Sequence, residues 1–276
     1  MAKGTLYITA TPIGNLKDIT LRALEKMKEA RLIIAEDTRV TAVLLNHYGI
    51  KTKTVSFHKF NEAGRIPRVV EVMENGGDVC MVSDAGSPMI SDPGYGLVRE
   101  CAARGIKCEV LPGASSVIAA ITLSGFNPEK FLFAGFIPKK EAERGRFFEG
   151  LRGREYPVVL FESPKRVKRA LLEIEEAFKG VKASVIKEIT KIHETVYTGS
   201  PGKIASEIPE SSFKGEFVIV LGPQEPEAPE AGAVRSRIDG LKKAGVKTGE
   251  AVRLAAAEFK IGRNEAYKIA HEKEEE

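Results

Sequence analysis

Five short apolar runs rich in β-branched residues punctuate the first 112 residues: TLYITA, RLIIAE, TVSF, DVCMVS and KCEVLP. Each of the first four is followed by a segment with helical spacing. Strands separated by helices cannot pair as hairpins, so this alternation predicts βα units and a mainly parallel sheet. In DITLRALEKMKEA, Ile19, Leu21, Leu24 and Met27 recur near helical spacing, with Asp18 as the expected N-cap. Gly49 and the pair Gly76-Gly77 mark helix ends. In a sheet of this kind the loops at the carboxyl ends of the strands open into a crevice, which makes them the first place to look for a ligand.

From Pro112 the rhythm changes. GASSVIAAITLSG reads as a helix of small residues, KFLFAGFIP and YPVVLFES as strands, and SPKRVKRALLEIEEAF as a helix with proline near its start. ASVIKEIT, ETVYTGS and GEFVIVLGP lie close enough in sequence to pair antiparallel. A second α/β domain with a mixed sheet is expected over 113–222, after a first domain over 1–112. Residues 223–233 (PQEPEAPEAGA) read as an extended linker, and 234–276 as three short helices. A brief turn, KIGR, joins the last two in a helix-turn-helix layout.

Composition removes several classes of function. No apolar run approaches the roughly 20 residues of a membrane helix. The start, MAKGTLYITATP, lacks the pattern of a secretory signal, so the cytoplasm is the expected address. Cys80, Cys101 and Cys108 are odd in number and have no CxxC spacing, which predicts reduced thiols. The four histidines are scattered, and no metal-ligating cluster stands out. Net charge is only +4, but it is unevenly placed. Residues 137–170 hold ten Lys and Arg against five acids, and 234–271 hold nine against four. Such regions suit a phosphate-rich partner or a solvated face.

Three loops follow strands and are built from small residues. TATPIGN (residues 9–15) is neither a dinucleotide fingerprint nor a phosphate-binding P-loop, and reads as a simple turn or a ligand loop. VSDAGSPMISDPG (82–94) carries Asp84 and Asp92, which can accept hydrogen bonds from hydroxyl or ammonium groups, and prolines that stiffen it. LPGASS (111–116) ends in two serines, each suited to cap a helix or to reach a ligand. Three such loops after successive strands converge at one sheet end, which favours a small molecule with polar edges.

These segments, with IAEDTR, FAGFIP and FESPKR, resemble the tetrapyrrole-methylase superfamily of S-adenosylmethionine (SAM) methyltransferases. Within it they are most similar to the branch that acts on small-subunit ribosomal RNA. The resemblance covers nearly the whole chain. It implies two α/β domains of tetrapyrrole-methylase type with SAM in the cleft between them, a small helical C-terminal domain, and a homodimer. It also implies 2′-O methylation of a cytidine ribose in 16S ribosomal RNA, with RNA or the ribosomal subunit as partner and no metal. The family's cofactor positions fall on Pro12, Ile13 and Gly14, on Asp84, Gly86, Ser87 and Ile90, on Ser115 and Ser116, and near Phe161 and Leu221. Many relatives carry Gly-Asp-Pro in the second loop. Here Gly86-Ser87-Pro88 stands instead and the carboxylate is displaced to Asp84, so either Asp84 or the backbone near Ser87 meets the methionine end.

Methyl transfer to a hydroxyl needs alignment and somewhere for the proton to go. IAEDTR offers Glu36, Asp37 and Arg39, and IKEITKIHE offers Lys187, Glu188 and His193. Glu36 or Lys187 is expected near the ribose hydroxyl, with Arg39 on an adjacent phosphate. Lys165, Arg166, Lys168 and Arg169 begin a helix, and Lys165 and Arg166 are expected on the RNA backbone. Arg253, Lys260, Arg263 and Lys268 give the helical tail a similar part in docking RNA. Two alternatives stay open: a member of the same fold that methylates a tetrapyrrole carbon or a protein, and a metabolite-sensing regulator that reads DNA through the tail.

Overall fold

The computed structural model describes residues 2–224, 231–259 and 261–271. Residues 225–230 of the expected linker and Lys260 lie outside the described residues. The chain divides into two compact units, 1–224 and 225–276.

The first unit opens with a parallel sheet. Its strands are β1 (Leu6–Thr9), β2 (Leu32–Ala35), β3 (Thr54–Ser56), β4 (Val79–Val82) and β5 (Cys108–Leu111), in the order β3-β2-β4-β1-β5. Helices α1 (Leu21–Glu29), α2 (Thr38–His47), α3 (Glu62–Glu74) and α4 (Tyr95–Ala103) connect them. All four residues of β1, β2 and β4 are buried, as strands covered on both faces must be. Alternate side chains divide the two layers. Leu6, Ile8, Ile34 and Met81 face Val70, Met73 and Leu97 of α3 and α4. Tyr7, Ile33, Cys80 and Val82 face Ala23, Met27, Leu44 and Leu45 of α1 and α2. Asp18 does not cap α1. It sits in a short 3-10 turn, and Thr20 caps the helix by accepting from the Ala23 N–H at 3.2 Å. The three thiols are free, and burial pushes Cys80 and Cys101 up to about 12.

The second sheet contains β6 (Leu132–Phe136), β7 (Val158–Glu162), β8 (Ala183–Lys187), β9 (Thr195–Gly199) and β10 (Phe217–Leu221), ordered β6-β7-β10-β8-β9. Only β6 and β7 pair in parallel, and β10 runs antiparallel between β7 and β8. Helices α6 (Glu141–Glu149), α7 (Val167–Ala177) and α8 (Pro201–Glu207) follow β6, β7 and β9. Phe148, Leu171, Ile174 and Ile204 cover one face of the sheet. On the other face lie Val117, Ala120 and Ile121 of α5 (Ser116–Leu123), joined by Ile13 from the loop after β1. One apolar cluster therefore ties the first sheet's ligand end to the second sheet, which fixes the spacing of the cleft between them.

The second unit holds α9 (Ala231–Lys243), α10 (Thr248–Glu258) and α11 (Arg263–His271). They close on a small core of their own, with Val234, Ile238, Val252, Ala255, Ala266 and Ile269. Among the described residues no helix is long and apolar enough to cross a membrane.

Candidate functional site

The loops after β1 and β4 are zipped together at their bases. Thr11 and Gly86 exchange both backbone hydrogen bonds, at 2.9 and 3.0 Å, and the Thr11 hydroxyl donates to the Ser83 carbonyl at 3.2 Å. Gly86 has φ +78°, and a Cβ there would lie 3.2 Å from Ile13 Cγ2, so glycine permits both the turn and the close approach. Gly14 lets the first loop touch the loop after β8: a Cβ would lie 2.7 Å from the Ile189 carbonyl oxygen.

Four non-glycine residues in the described chain have left-handed backbones: Met89, Ser91, Glu188 and Thr190. They fall in two loops, after β4 and after β8, and both loops wall the same cavity. Left-handed backbone in ordinary residues is costly, and its concentration at one place marks a site whose shape is held by its surroundings.

That cavity, about 380 Å³, lies between the two sheets. The first sheet contributes Ile13, Glu36, Asp84, Gly86, Ser87, Ile90 and Asp92. The turn into α5 contributes Ser115 and Ser116, and the second sheet Phe136, Phe161, Glu162 and Val218. Ser115 also caps α5, accepting from the Ile118 N–H at 3.4 Å. The Phe136 and Phe161 rings meet edge to face at 5.3 Å.

The wall from the first sheet is acidic. Asp84 accepts from the Asp37 N–H at 2.9 Å, which ties the loop after β4 to the turn after β2. Glu36 and Asp92 both line this wall, close enough for each carboxyl to bear on the other's protonation. Burial, then the charge of Asp84, raises the Glu36 carboxyl above its ordinary range. Burial, with Glu36 and Asp84 nearby, lifts Asp92 to about 7. Partial burial also raises Asp84. On the second-sheet side Glu162 is neutralised by Arg166 at 2.6 Å, and Glu216 by Lys191 at 3.0 Å.

The sequence-predicted residues divide accordingly. Ile13, Asp84, Gly86, Ser87, Ile90, Ser115, Ser116, Phe161 and Glu36 meet at the cavity. Pro12 and Arg39 line an adjoining depression that shares Asp84 with it. Arg39 is held bidentately by Asp37, at 3.0 and 2.6 Å, which draws the Asp37 carboxyl down to about 2. Leu221 lies three residues along β10 from Val218, roughly 10 Å away, in the core on the opposite face. Lys187 is buried off the cavity, with its ammonium 6.0 Å from the Phe217 ring centre. Glu188 pairs with Lys191, and His193 is exposed.

Of Lys165, Arg166, Lys168 and Arg169, only Lys165 is exposed outside the ion pairs of the described residues. Arg166 is consumed by the structure: it pairs with buried Glu162 and donates to the Ile137 carbonyl and the Ser163 hydroxyl. In the helical unit Arg263 and Lys268 are exposed, and Arg253 faces Glu250 at 3.1 Å. Phe136 had no role assigned from sequence, and Asp92 was read there only as a hydrogen-bond acceptor. Phe136 ends β6 with its ring 55% exposed toward the cavity, and Asp92 carries the partner of Glu36. The signal for Asp92 was present, since a second aspartate within eight residues of the first, in a loop stiffened by Pro88 and Pro93, has few structural uses.

Residues 5–205 match the model of the tetrapyrrole (corrin/porphyrin) methylases. A Streptococcus pyogenes serotype M3 protein named ribosomal RNA small subunit methyltransferase I is 38% identical over 273 residues, covering 98% of this chain and 95% of that protein. A Thermotoga maritima protein of the same name is 41% identical over 222 residues, covering 80% of this chain and 100% of that protein. Among solved structures, diphthine synthase superposes with a TM-score of 0.64 at 16% identity, over 80% of this chain and 90% of that one. At that identity it speaks to the fold alone.

Proposed function

The chain belongs to the tetrapyrrole methylases, and from that premise we propose that it is a SAM-dependent methyltransferase of small-subunit (16S) ribosomal RNA, acting on the 2′-hydroxyl of a cytidine ribose. One observation carries the chemical part of this reading: three small-residue loops converge on a cavity whose wall holds the neighbouring carboxyl groups of Glu36 and Asp92. The cavity fits the cofactor. Its volume suits a small molecule, Asp84 offers a carboxylate to an ammonium group, and Phe136 and Phe161 offer an aromatic wall to a purine.

When bound, SAM supplies an activated methyl group on a positively charged sulfur. Asp84 and the backbone around Ser87 grip the polar end of the cofactor. Ile13 and Ile90 supply apolar contact, and Ser115 and Ser116 close the side nearest α5. With the cofactor bound, Glu36 would accept the ribose hydroxyl proton, and Asp92 beside it would help to hold that proton. Arg39, on the rim with its side chain 88% exposed, swings from Asp37 to a flanking phosphate. Lys165, and Arg253, Arg263 and Lys268 of the helical unit, engage the RNA backbone by charge.

We also propose a homodimer acting in the cytoplasm. β5 is an edge strand with Val110 61% exposed, and Leu21 on α1 and Ile118 on α5 are exposed as well, an apolar set that a second copy would cover. The test of the function is incubation with methyl-labelled SAM and, in parallel, small subunits, free 16S RNA, elongation factor and a tetrapyrrole. Label is expected in RNA. Label in the protein or the tetrapyrrole, with none in RNA, rejects the reading.

A further inference from the structure

A groove of about 1240 Å³ runs across the first sheet at the end opposite the cavity. The cavity forms beyond the carboxyl ends of the strands, whereas the groove is built from residues that precede β2, β3 and β4 and from the helices beside them. Six cations line it: Lys28, Arg31, Lys51, Lys53, Arg65 and Arg68. None of the six takes part in an ion pair among the described residues, and five are exposed, Arg65 being half-buried. The groove's two acids are already engaged. Glu29 pairs with Lys26 at 2.8 Å, and Asp78 accepts from the Thr5 N–H at 2.7 Å. We propose that this groove holds the phosphodiester backbone of the ribosomal RNA substrate, along a stretch away from the target nucleotide. The proposal rests on the RNA reading above.

Two comparisons support an anionic occupant. The first is with the basic region around α6 and α7, which looks positive by count. There the guanidinium groups are largely matched: Arg144 and Arg169 by Glu173, and Arg166 by Glu162. The groove's cations come from three separate chain segments, so no run of sequence announces them, yet they are the unmatched ones. The second concerns helix ends. Cations at a helix C-terminus are explained by the helix dipole, which accounts for Lys28 in the last turn of α1. Arg65 and Arg68 sit in the first two turns of α3, the end where the dipole disfavours positive charge. Lys51 and Lys53 lie on no helix. A row of unpaired cations in a concave surface repels itself and is relieved by a polyanion.

The test uses the full chain with Lys51→Gln and Arg68→Gln combined, both at exposed positions whose neutralisation leaves the core untouched. A control chain carries Arg99→Gln and Lys179→Gln, exposed cations off the groove. Binding to free 16S RNA and to small subunits is measured across a salt series, and methyl transfer at saturating and limiting RNA. Each lost phosphate contact lowers the slope of log affinity against log salt by about 0.7–0.9, so the groove variant should lose about 1.5. Its KM for RNA should rise about five- to ten-fold, with kcat and SAM affinity within about two-fold of wild type. The control should keep the wild-type slope. A groove variant with wild-type slope and KM overturns the proposal and leaves the RNA reading standing. Weakened binding to subunits with unchanged binding to free RNA assigns the groove to a protein partner and overturns it too. If the wild-type chain neither binds nor methylates RNA, it is the underlying reading that fails.

Discussion

Glu36, just after β2, and Asp92, in the loop after β4, bring two neighbouring carboxyl groups to the wall of one cavity. Burial and like charge both disfavour ionising two neighbouring acids, so the pair gains and loses its protons as a coupled unit.

The first consequence is a pH-dependent rate. Methyl transfer at saturating SAM and RNA should rise with pH through about 7, the region to which burial lifts Asp92. Glu36→Gln should lower kcat by roughly 100-fold or more and flatten that limb, with SAM affinity little changed. A variant that keeps wild-type turnover removes Glu36 from proton transfer.

A second consequence is thermodynamic. A carboxyl whose folded-state value is raised above the unfolded one binds more protons when folded, so stability falls as pH climbs from the unfolded value toward about 7. Asp92→Asn abolishes that loss. Compared with wild type, its thermal stability should be unchanged or lower at pH 4 and higher at pH 8, by on the order of 1–2 kcal/mol once solvent screening is allowed for. Parallel melting curves across this range would exclude the effect.

Arg166 should behave as a structural residue. Its partner Glu162 has a side chain only 1% exposed, so Arg166→Ala leaves a buried carboxylate unpaired and should cost roughly 3 kcal/mol. The salt dependence of RNA binding should be unaltered. Adding Glu162→Gln to the variant should return part of the stability, which chemical denaturation can measure.

The helical unit has its own core, and residues 1–224 contain every residue of the cavity. Truncation after Gln224 should therefore spare SAM binding to within about two-fold while raising the KM for RNA roughly ten-fold or more, because a tethered second contact is lost. Isothermal titration with SAM and steady-state kinetics separate the two effects. Loss of SAM binding would make the tail part of the scaffold.

Much of the fold was legible because its determinants are local. The βα alternation, the glycine at position 49 and the switch to antiparallel pairing near β8 follow from periodicity and turn residues. The loops that wall the cavity were legible for the same reason, being continuous segments rich in small residues. What escaped the sequence depends on contacts between distant segments. Glu36 and Asp92 meet on one cavity wall although they are 56 positions apart. Arg166 is taken up by buried Glu162, and Leu221 lies on the far face of β10, whose first two residues, Phe217 and Val218, are the ones that reach the cavity. Asp18 lost the cap of α1 to Thr20, since the chain first spends a 3-10 turn under the loop after β1.

The destination of the methyl group tests the proposed activity most directly. Small subunits or 16S RNA should be labelled from methyl-labelled SAM by the wild-type chain and by Glu36→Gln, digested with alkali, and the labelled nucleosides identified. A 2′-O-methyl group blocks alkaline cleavage at its own nucleotide, so the account predicts label in alkali-resistant dinucleotides that yield 2′-O-methylcytidine, and almost none with Glu36→Gln. Label recovered on a base, or equal labelling by both chains, would contradict it.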